Sequence, residues 1–156
     1  LDRDTSGVVI IAKNPEIQSF LRKQFQDRKT HKTYYAIIEG RPKLDKARID
    51  LPISRDLKRP TTFRVDANGK PSETFYEVIK SDDKHSLVEL KPTTGRTHQL
   101  RVHMKYLGHP IVGDVVYGTE KADRLYLHAG KLEITLPGGK RTTFEAKLPE
   151  EFLNVF

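Results

Sequence analysis

Apolar and polar positions change their spacing several times along the chain, and each change predicts an element. The turn and cap residues of LDRDTSG lead into VVIIA, whose β-branched run predicts a strand over residues 8–12. In NPEIQSFLRKQFQDRK the spacing lengthens. Ile17, Phe20, Leu21 and Phe25 fall on one helical face, with Asn14 as N-cap and Pro15 at the first helical position. HKTYYAIIEG reads as a strand of β-branched and aromatic residues, ended by Glu39 and Gly40. Across residues 41–70, Pro42, Pro52 and Pro60 interrupt short apolar runs among scattered charges, which predicts loops and short edge strands.

Two further strand runs, SETFYEVIK and SLVELK, flank the polar turn SDDKH as a hairpin. The segment PTTGRTHQLRVHMKYLGHP returns to helical spacing, with Leu100, Met104 and Leu107 on one face, Gly108 at the stop and Pro110 beyond it. RLYLHAGKLEITLPGGKRTTFEAKLP supplies two strands around the turn PGGK, and PEEFLNVF closes the chain on apolar residues. Many strands in mostly antiparallel hairpins, with two helices, predict an α+β fold: a mixed, mainly antiparallel sheet with flanking helices. The 156 residues suit one domain with a real core and are too few for two large ones.

Charge narrows the partner. The excess of 28 Lys and Arg over 21 Asp and Glu, a formal net charge of +7, favours a polyanion, although charge alone does not separate RNA, DNA and an anionic membrane surface. No window has the apolar length of a bilayer span, so no membrane partner is expected. With no cysteine there is neither a disulfide framework nor a thiolate metal site, and a reducing, cytoplasmic setting is the expectation.

Position sharpens the charge argument. Residues 91–109 hold four cations (Lys91, Arg96, Arg101, Lys105), three histidines (His98, His103, His109) and no carboxylate. On a helical wheel, His98, Arg101 and Lys105 share a face roughly 130° from that of Leu100, Met104 and Leu107, which predicts a basic stripe opposite a buried one. The alternative is an ordinary solvated face. Arg96 falls at the helix start, where backbone N–H groups attract an anion. His98 and His103 are five residues apart, not the four that align two imidazoles, and no acidic or thiol ligand lies nearby, so no metal site is expected.

GRTHQLRVHMKYLGHPIVGDVVYG, together with LDRDTSG, KTYYA and RLYLHA, resembles the RluA-type family of RNA pseudouridine synthases, and KPSETFYEVI and FEAKLPEEF are similar to its strand texts. The likeness covers essentially the whole chain, with its motifs in the family's order. It implies the pseudouridine synthase catalytic fold. It also implies a reaction that breaks the bond between uracil N1 and ribose, rotates the base and rejoins it through carbon 5, with no metal and no cofactor. The family's aspartate nucleophile maps onto Asp2, its active-site arginine onto Arg101 and its tyrosine onto Tyr34, while Asp4 falls on a variable position. A carboxylate suits attack on a sugar carbon or stabilisation of its cationic form. The tyrosine ring is expected to stack on uracil while its hydroxyl assists removal of the carbon-5 proton, with Tyr35 on the opposite sheet face.

Arg96, His98 and Gln99 are expected to support the site or contact RNA. Lys91, Lys105 and the run LRKQFQDRK are candidates for salt-sensitive backbone contact. The RNA partner favoured is large-subunit ribosomal RNA, with transfer RNA second, and a monomer is the simpler expectation. Family members carry His-Arg before the leucine of LDRDTSG, with strands of the same domain upstream, so residues 1–156 are expected to form a catalytic domain incomplete at its N-terminus. Two readings stay open beside this one. A non-catalytic RNA-binding module would retain the fold, and a glycoside hydrolase would need a second carboxylate such as Glu89 or Asp114.

Overall fold

In the computed structural model, which describes residues 1–156, the chain runs in this order: β1 (Ser6–Gly7), α1 (Pro15–Gln26), β2 (His31–Glu39), β3 (Lys46–Asp50), β4 (Ile53–Arg55), β5 (Phe63–Val65), β6 (Glu73–Ser81), β7 (His85–Pro92), α2 (Gln99–Tyr106), β8 (Leu127–Thr135), β9 (Arg141–Glu145) and α3 (Glu150–Leu153). The main sheet has the order β1-β8-β2-β7-β6-β3, with β9 also paired to β8, and β4 and β5 form a separate hairpin. All pairs are antiparallel except β1 with β8. The fold is therefore α+β with a mixed, mainly antiparallel sheet.

Period-two alternation along the central strands sends their apolar residues to two different layers. Ala36 and Ile38 of β2, with Val88 and Leu90 of β7, pack on Leu100 and Met104 of α2. Ile37 and Leu87 point the other way, onto Val112 and Phe152 of α3. Tyr34 belongs to the first layer and Tyr35 to the second, as the alternation predicts. A bulge between Thr33 and Tyr34 shifts the β2–β8 register just where β2 reaches the site described below.

α1 starts as its sequence predicts, with Asn14 Oδ1 accepting the Ile17 N–H at 2.9 Å. Its buried face differs from the expected one. Leu21 and Gln24 are buried, whereas Phe20 and Phe25 remain 40% and 37% exposed. Gln24 goes inward because its amide closes the end of β8, donating to Thr135 O at 2.7 Å and accepting the Thr135 N–H at 2.9 Å.

The strand expected over residues 8–12 is not formed. Only Ser6 and Gly7 pair with β8, and the ladder stops because β9 occupies the same edge from Lys131 onward. The alternation survives without the ladder: Val8, Ile10 and Ala12 pack against Leu21, Leu132 and Ile134, while Val9 and Ile11 face outward. Gly7 is required here, since a Cβ at its φ of +116° would lie 2.1 Å from Ala129 O.

Phe152 is fully buried although α3 spans only four residues. Phe152→Ala is expected to lower the unfolding free energy by about 3–5 kcal/mol in urea denaturation. A loss under about 1 kcal/mol would mean that α3 contributes nothing to the second layer.

Candidate active site

The helix α2 and the loop before it are held by one amide. Gln99 Oε1 accepts the Thr94 hydroxyl at 2.7 Å and the Arg96 N–H at 3.0 Å, and its Nε2 donates to Glu73 O at 2.9 Å and Thr74 Oγ1 at 3.0 Å. Its hydrogen-bonding capacity is thus fully used inside the protein. Gln99 shapes the site and has no free group to offer RNA.

Arg101 projects from α2 into a buried position, 8% exposed. Its Nε and Nη2 donate to the two oxygens of Asp114 at 2.8 and 2.9 Å, and its Nη1 donates to Asp2 Oδ2 at 3.2 Å. Its guanidinium carbon also lies 5.1 Å from the centre of the Tyr117 ring. Burial alone would lower the Arg101 pKa, but the two carboxylates outweigh it and hold the value above normal. The expected solvent-facing basic stripe is therefore corrected. Arg101 is neutralised from outside the helix, His98 precedes the first turn, and Lys105 alone stays exposed, 5.6 Å from the Tyr117 ring.

Asp114 reaches Arg101 because Gly113 turns the chain at φ +75°, where a Cβ would lie 1.8 Å from Arg124 O. Its side chain is fully enclosed. Oδ1 also accepts the N–H groups of Val116 and Tyr117, each at 3.0 Å. Burial pushes this carboxyl up, and Arg101 with the two backbone N–H groups more than reverses that, leaving it below the usual carboxylate range. Asp2 differs in one decisive respect: its side chain is 23% exposed. It sits on a turn closed by the Thr5 N–H to Asp2 O bond at 3.0 Å. Beyond that turn β1 anchors the loop, with Ser6 Oγ bonded to His128 Nδ1 at 2.8 Å and accepting Arg124 Nη2 at 2.5 Å. Asp4 points away, 54% exposed, beside Arg3.

Asp2 opens onto a cavity of about 340 Å³, a size suited to a small ligand. Tyr34, Lys32, Arg96 and His98 form part of its wall, as does Thr5, whose buried hydroxyl has no hydrogen-bond partner. Burial, and then the charge of Asp2, push the Tyr34 phenol up to about 12, so it is neutral at physiological pH. Lys32 Nζ donates to Thr94 O at 3.1 Å, and burial lowers its pKa. Arg96 spans to the chain before β6 through Nε to Pro71 O at 3.1 Å.

Of the predicted site residues, Asp2, Tyr34, Arg96, His98 and Gln99 line this cavity, and Arg101 stands behind it, in contact with Asp2. The structure leaves Lys91 on β7 beside Glu89, outside the cavity wall, and Lys105 on the exposed side of α2. Sequence reasoning missed three participants. Lys32 carried a readable signal, being two residues from Tyr34 on the same strand. Asp114 and Tyr117 lie within the motif GRTHQLRVHMKYLGHPIVGDVVYG, but nothing local shows that their turn packs under α2, so their part in the site was not read.

Residues 1–106 match a family profile described as RNA pseudouridylate synthase. The chain is 47% identical over 147 residues to the dual-specificity RNA pseudouridine synthase RluA of Vibrio parahaemolyticus, which covers 88% of this chain and 59% of that protein. It is 43% identical over 159 residues to the enzyme of the same name from Escherichia coli, covering 97% of this chain and 72% of that protein. It is also 44% identical over 158 residues to ribosomal large subunit pseudouridine synthase D of Borreliella burgdorferi, covering 98% and 48%. The chain thus spans between 48% and 59% of the length of the Vibrio and Borreliella relatives. Among solved structures, human RNA pseudouridylate synthase domain containing 1 superposes with a TM-score of 0.85 at 33% identity, covering 94% of this chain and 66% of that one. With the profile spanning most of the chain and the Escherichia coli relative matched over most of its own length, this chain belongs to the RNA pseudouridine synthase family.

Proposed function

We propose that residues 1–156 form the catalytic domain of an enzyme that isomerises specific uridines to pseudouridine in RNA, with Asp2 as nucleophile. The observation that supports this most is the division of labour between two carboxylates on one guanidinium. Asp114 is enclosed and bidentate, whereas Asp2 is held through one oxygen and faces the cavity with Oδ1 unbonded. Asp2 attacks C1′ of the extruded nucleotide, or stabilises its cationic form, as the N1–C1′ bond breaks and its electron pair leaves with the base. The base turns, carbon 5 bonds to C1′, Asp2 is released, the carbon-5 proton leaves and N1, which kept the electron pair of the broken bond, takes up a proton. The product is an isomer of the starting nucleotide, so no redox partner is needed.

Tyr34 supplies a ring beside Asp2 on which a pyrimidine can stack. Its raised pKa favours stacking and hydrogen-bond donation over a role as resting-state base. A groove next to the cavity, sharing Gly95, Arg96 and Thr97 and lined also by Arg55 and Lys70, suits the phosphates flanking an extruded base. The name of one relative, a ribosomal large subunit pseudouridine synthase, favours large-subunit ribosomal RNA as substrate, and we keep transfer RNA as the second reading. We read the enzyme as a cytoplasmic monomer that uses neither metal nor cofactor.

Asp2→Asn is expected to reduce pseudouridine formation by at least about a thousandfold, mapped by chemical modification and primer extension on unmodified ribosomal and transfer RNA. RNA affinity should change less than about threefold. Turnover retained in the variant would remove Asp2 as nucleophile. RNA binding without product from the parent chain would mark it as a binding module.

Asp114→Asn leaves the buried guanidinium short of one charge partner and is expected to cost about 3–5 kcal/mol of stability, with a lower kcat in whatever fraction stays folded. The Asp114 carboxyl lies below its unfolded value, so its contribution is complete above the ordinary carboxylate range and is lost as pH falls through the folded value. Parent stability in denaturant should therefore decline on acidification more steeply than that of Asp114→Asn. Parallel pH profiles would show that Asp114 is not the linked group.

A further inference from the structure

Tyr117 sits 4% exposed in the cluster that packs the β4–β5 hairpin onto α2, with Ile53, Val102, Phe63 and Val65. Its hydroxyl oxygen accepts the Phe63 backbone N–H at 2.9 Å and lies 2.6 Å from His98 Nδ1. Burial pushes the phenol pKa up, so the hydroxyl keeps its proton, and His98 Nδ1 is the one acceptor that the proton can reach. A ring nitrogen that accepts a hydrogen bond carries no hydrogen. In a neutral imidazole the hydrogen must then be on Nε2. Burial, and next the Arg101 charge, keep His98 below its ordinary pKa against the opposing pull of Asp2 and Asp114, so the ring is neutral at physiological pH.

Two further observations show that the ring is placed on purpose. It meets two aromatic rings edge to face, 5.5 Å from the Phe63 ring centre and 5.4 Å from that of Tyr117. The backbone beneath it is left-handed, at φ 56° and ψ 18°, where an N-cap residue is ordinarily extended and uses its side chain to cap the helix. His98 makes no such capping bond. The other non-glycine residue with positive φ, Arg28, follows the last turn of α1, where that conformation is the common way to stop a helix. At His98 the helix gives up its cap, and the imidazole reaches the cavity wall with Nε2 unbonded within the protein.

We infer that His98 is fixed by Tyr117 as the Nε2–H tautomer and offers that N–H to an acceptor oxygen, a base carbonyl or a phosphate, of the nucleotide entering the Asp2 cavity. The inference rests on the reading of that cavity as an RNA site. A lone N–H donor admits a carbonyl or phosphoryl oxygen and rejects an amino group in the same place. With a base carbonyl as acceptor His98 is a specificity residue and with a phosphate an anchoring one, and in both cases Tyr117 is a positioning residue that acts through it.

The test is a long-range proton–nitrogen correlation on the chain labelled with nitrogen-15 histidine, with His98→Gln used to assign the resonance. Nε2 should be protonated and Nδ1 unprotonated at neutral pH. Tyr117→Phe, which keeps the ring and removes the donor, should convert the signal to an averaged tautomer mixture. A His98 ring carrying its hydrogen on Nδ1, or on both nitrogens at neutral pH, overturns the inference. A uridine hexanucleotide and an abasic ribose-phosphate hexamer are then added to saturation. A shift of Nε2 with the first alone identifies a base carbonyl, and a shift with both identifies phosphate. An Nε2 resonance unmoved by either overturns the donor role. His98→Gln, whose amide N–H reaches the place of Nε2, should keep affinity for the hexanucleotide within about threefold, and His98→Asn, whose amide reaches only the place of Nδ1, should lose about tenfold. None of these readings requires turnover, so failure of Asp2 as nucleophile would leave them standing.

Discussion

One guanidinium shared by two carboxylates is the constraint around which this molecule is arranged. A buried arginine side chain is tolerated only when its charge and donors are met, and Arg101 finds its partners in two remote parts of the chain. Asp114 takes the fork of Nε and Nη2 in the bidentate geometry that makes such pairs strong, while Asp2 receives the remaining Nη1 at a longer distance. The asymmetry matters chemically. Had Asp2 held the fork, both of its oxygens would be engaged and neither would be free to approach a carbon atom. By satisfying the arginine first, Asp114 lets the same cation orient Asp2 without consuming it.

That arrangement depends on positions where a side chain would not fit. Gly113 permits the turn that brings Asp114 beneath α2, and Gly7 lets β1 press against Ala129 of β8, which fixes the loop carrying Asp2. Between them, β2 delivers Tyr34 from the centre of the sheet, paired to Leu90 on one side and to Ala129 on the other. The same residue of β8 therefore braces both the Asp2 loop and the tyrosine. Rigid strands under both groups hold the two side chains in fixed relation.

Local patterns made much of this legible before any coordinates. The cap Asn14 and Pro15 start α1 where they should, and the alternation through TYYAII sends Tyr34 and Tyr35 to opposite layers. What was misread depended on partners from outside the window. Residues 8–12 have strand composition and strand alternation, yet the edge of β8 that they would need is taken by β9. Hydrophobicity alone places Phe20 and Phe25 on the buried face, yet Gln24 turns inward there because two backbone groups at the end of β8 need a partner. Residues 91–109 read as a basic stripe opposite a buried face because they contain no acid of their own, whereas Arg101 is buried against carboxylates from elsewhere in the chain. The motif resemblance pointed to Asp2, Tyr34 and Arg101; the carboxylate that pairs with Arg101 lies thirteen residues further on in the same motif, in a turn with no helical or strand period to show where it packs.

Where a folded chain departs from its cheapest local conformation, the departure is informative when the surrounding structure enforces it. A left-handed residue other than glycine costs roughly 1–2 kcal/mol, and His98 carries that cost at the start of a helix, without the capping bond that would normally offset it. The compensation is visible immediately around it. Gln99 makes four hydrogen bonds that lock the preceding loop, and Phe63 and Tyr117 close on the ring from the hairpin and from the turn that also holds Asp114. The Asp114 turn thus serves the site twice, supplying the anion that frees Asp2 and the phenol that sets the proton on His98. A change that loosened residues 113–117 would disturb the Arg101–Asp2 contact and the His98 ring together, because both are held from this one turn.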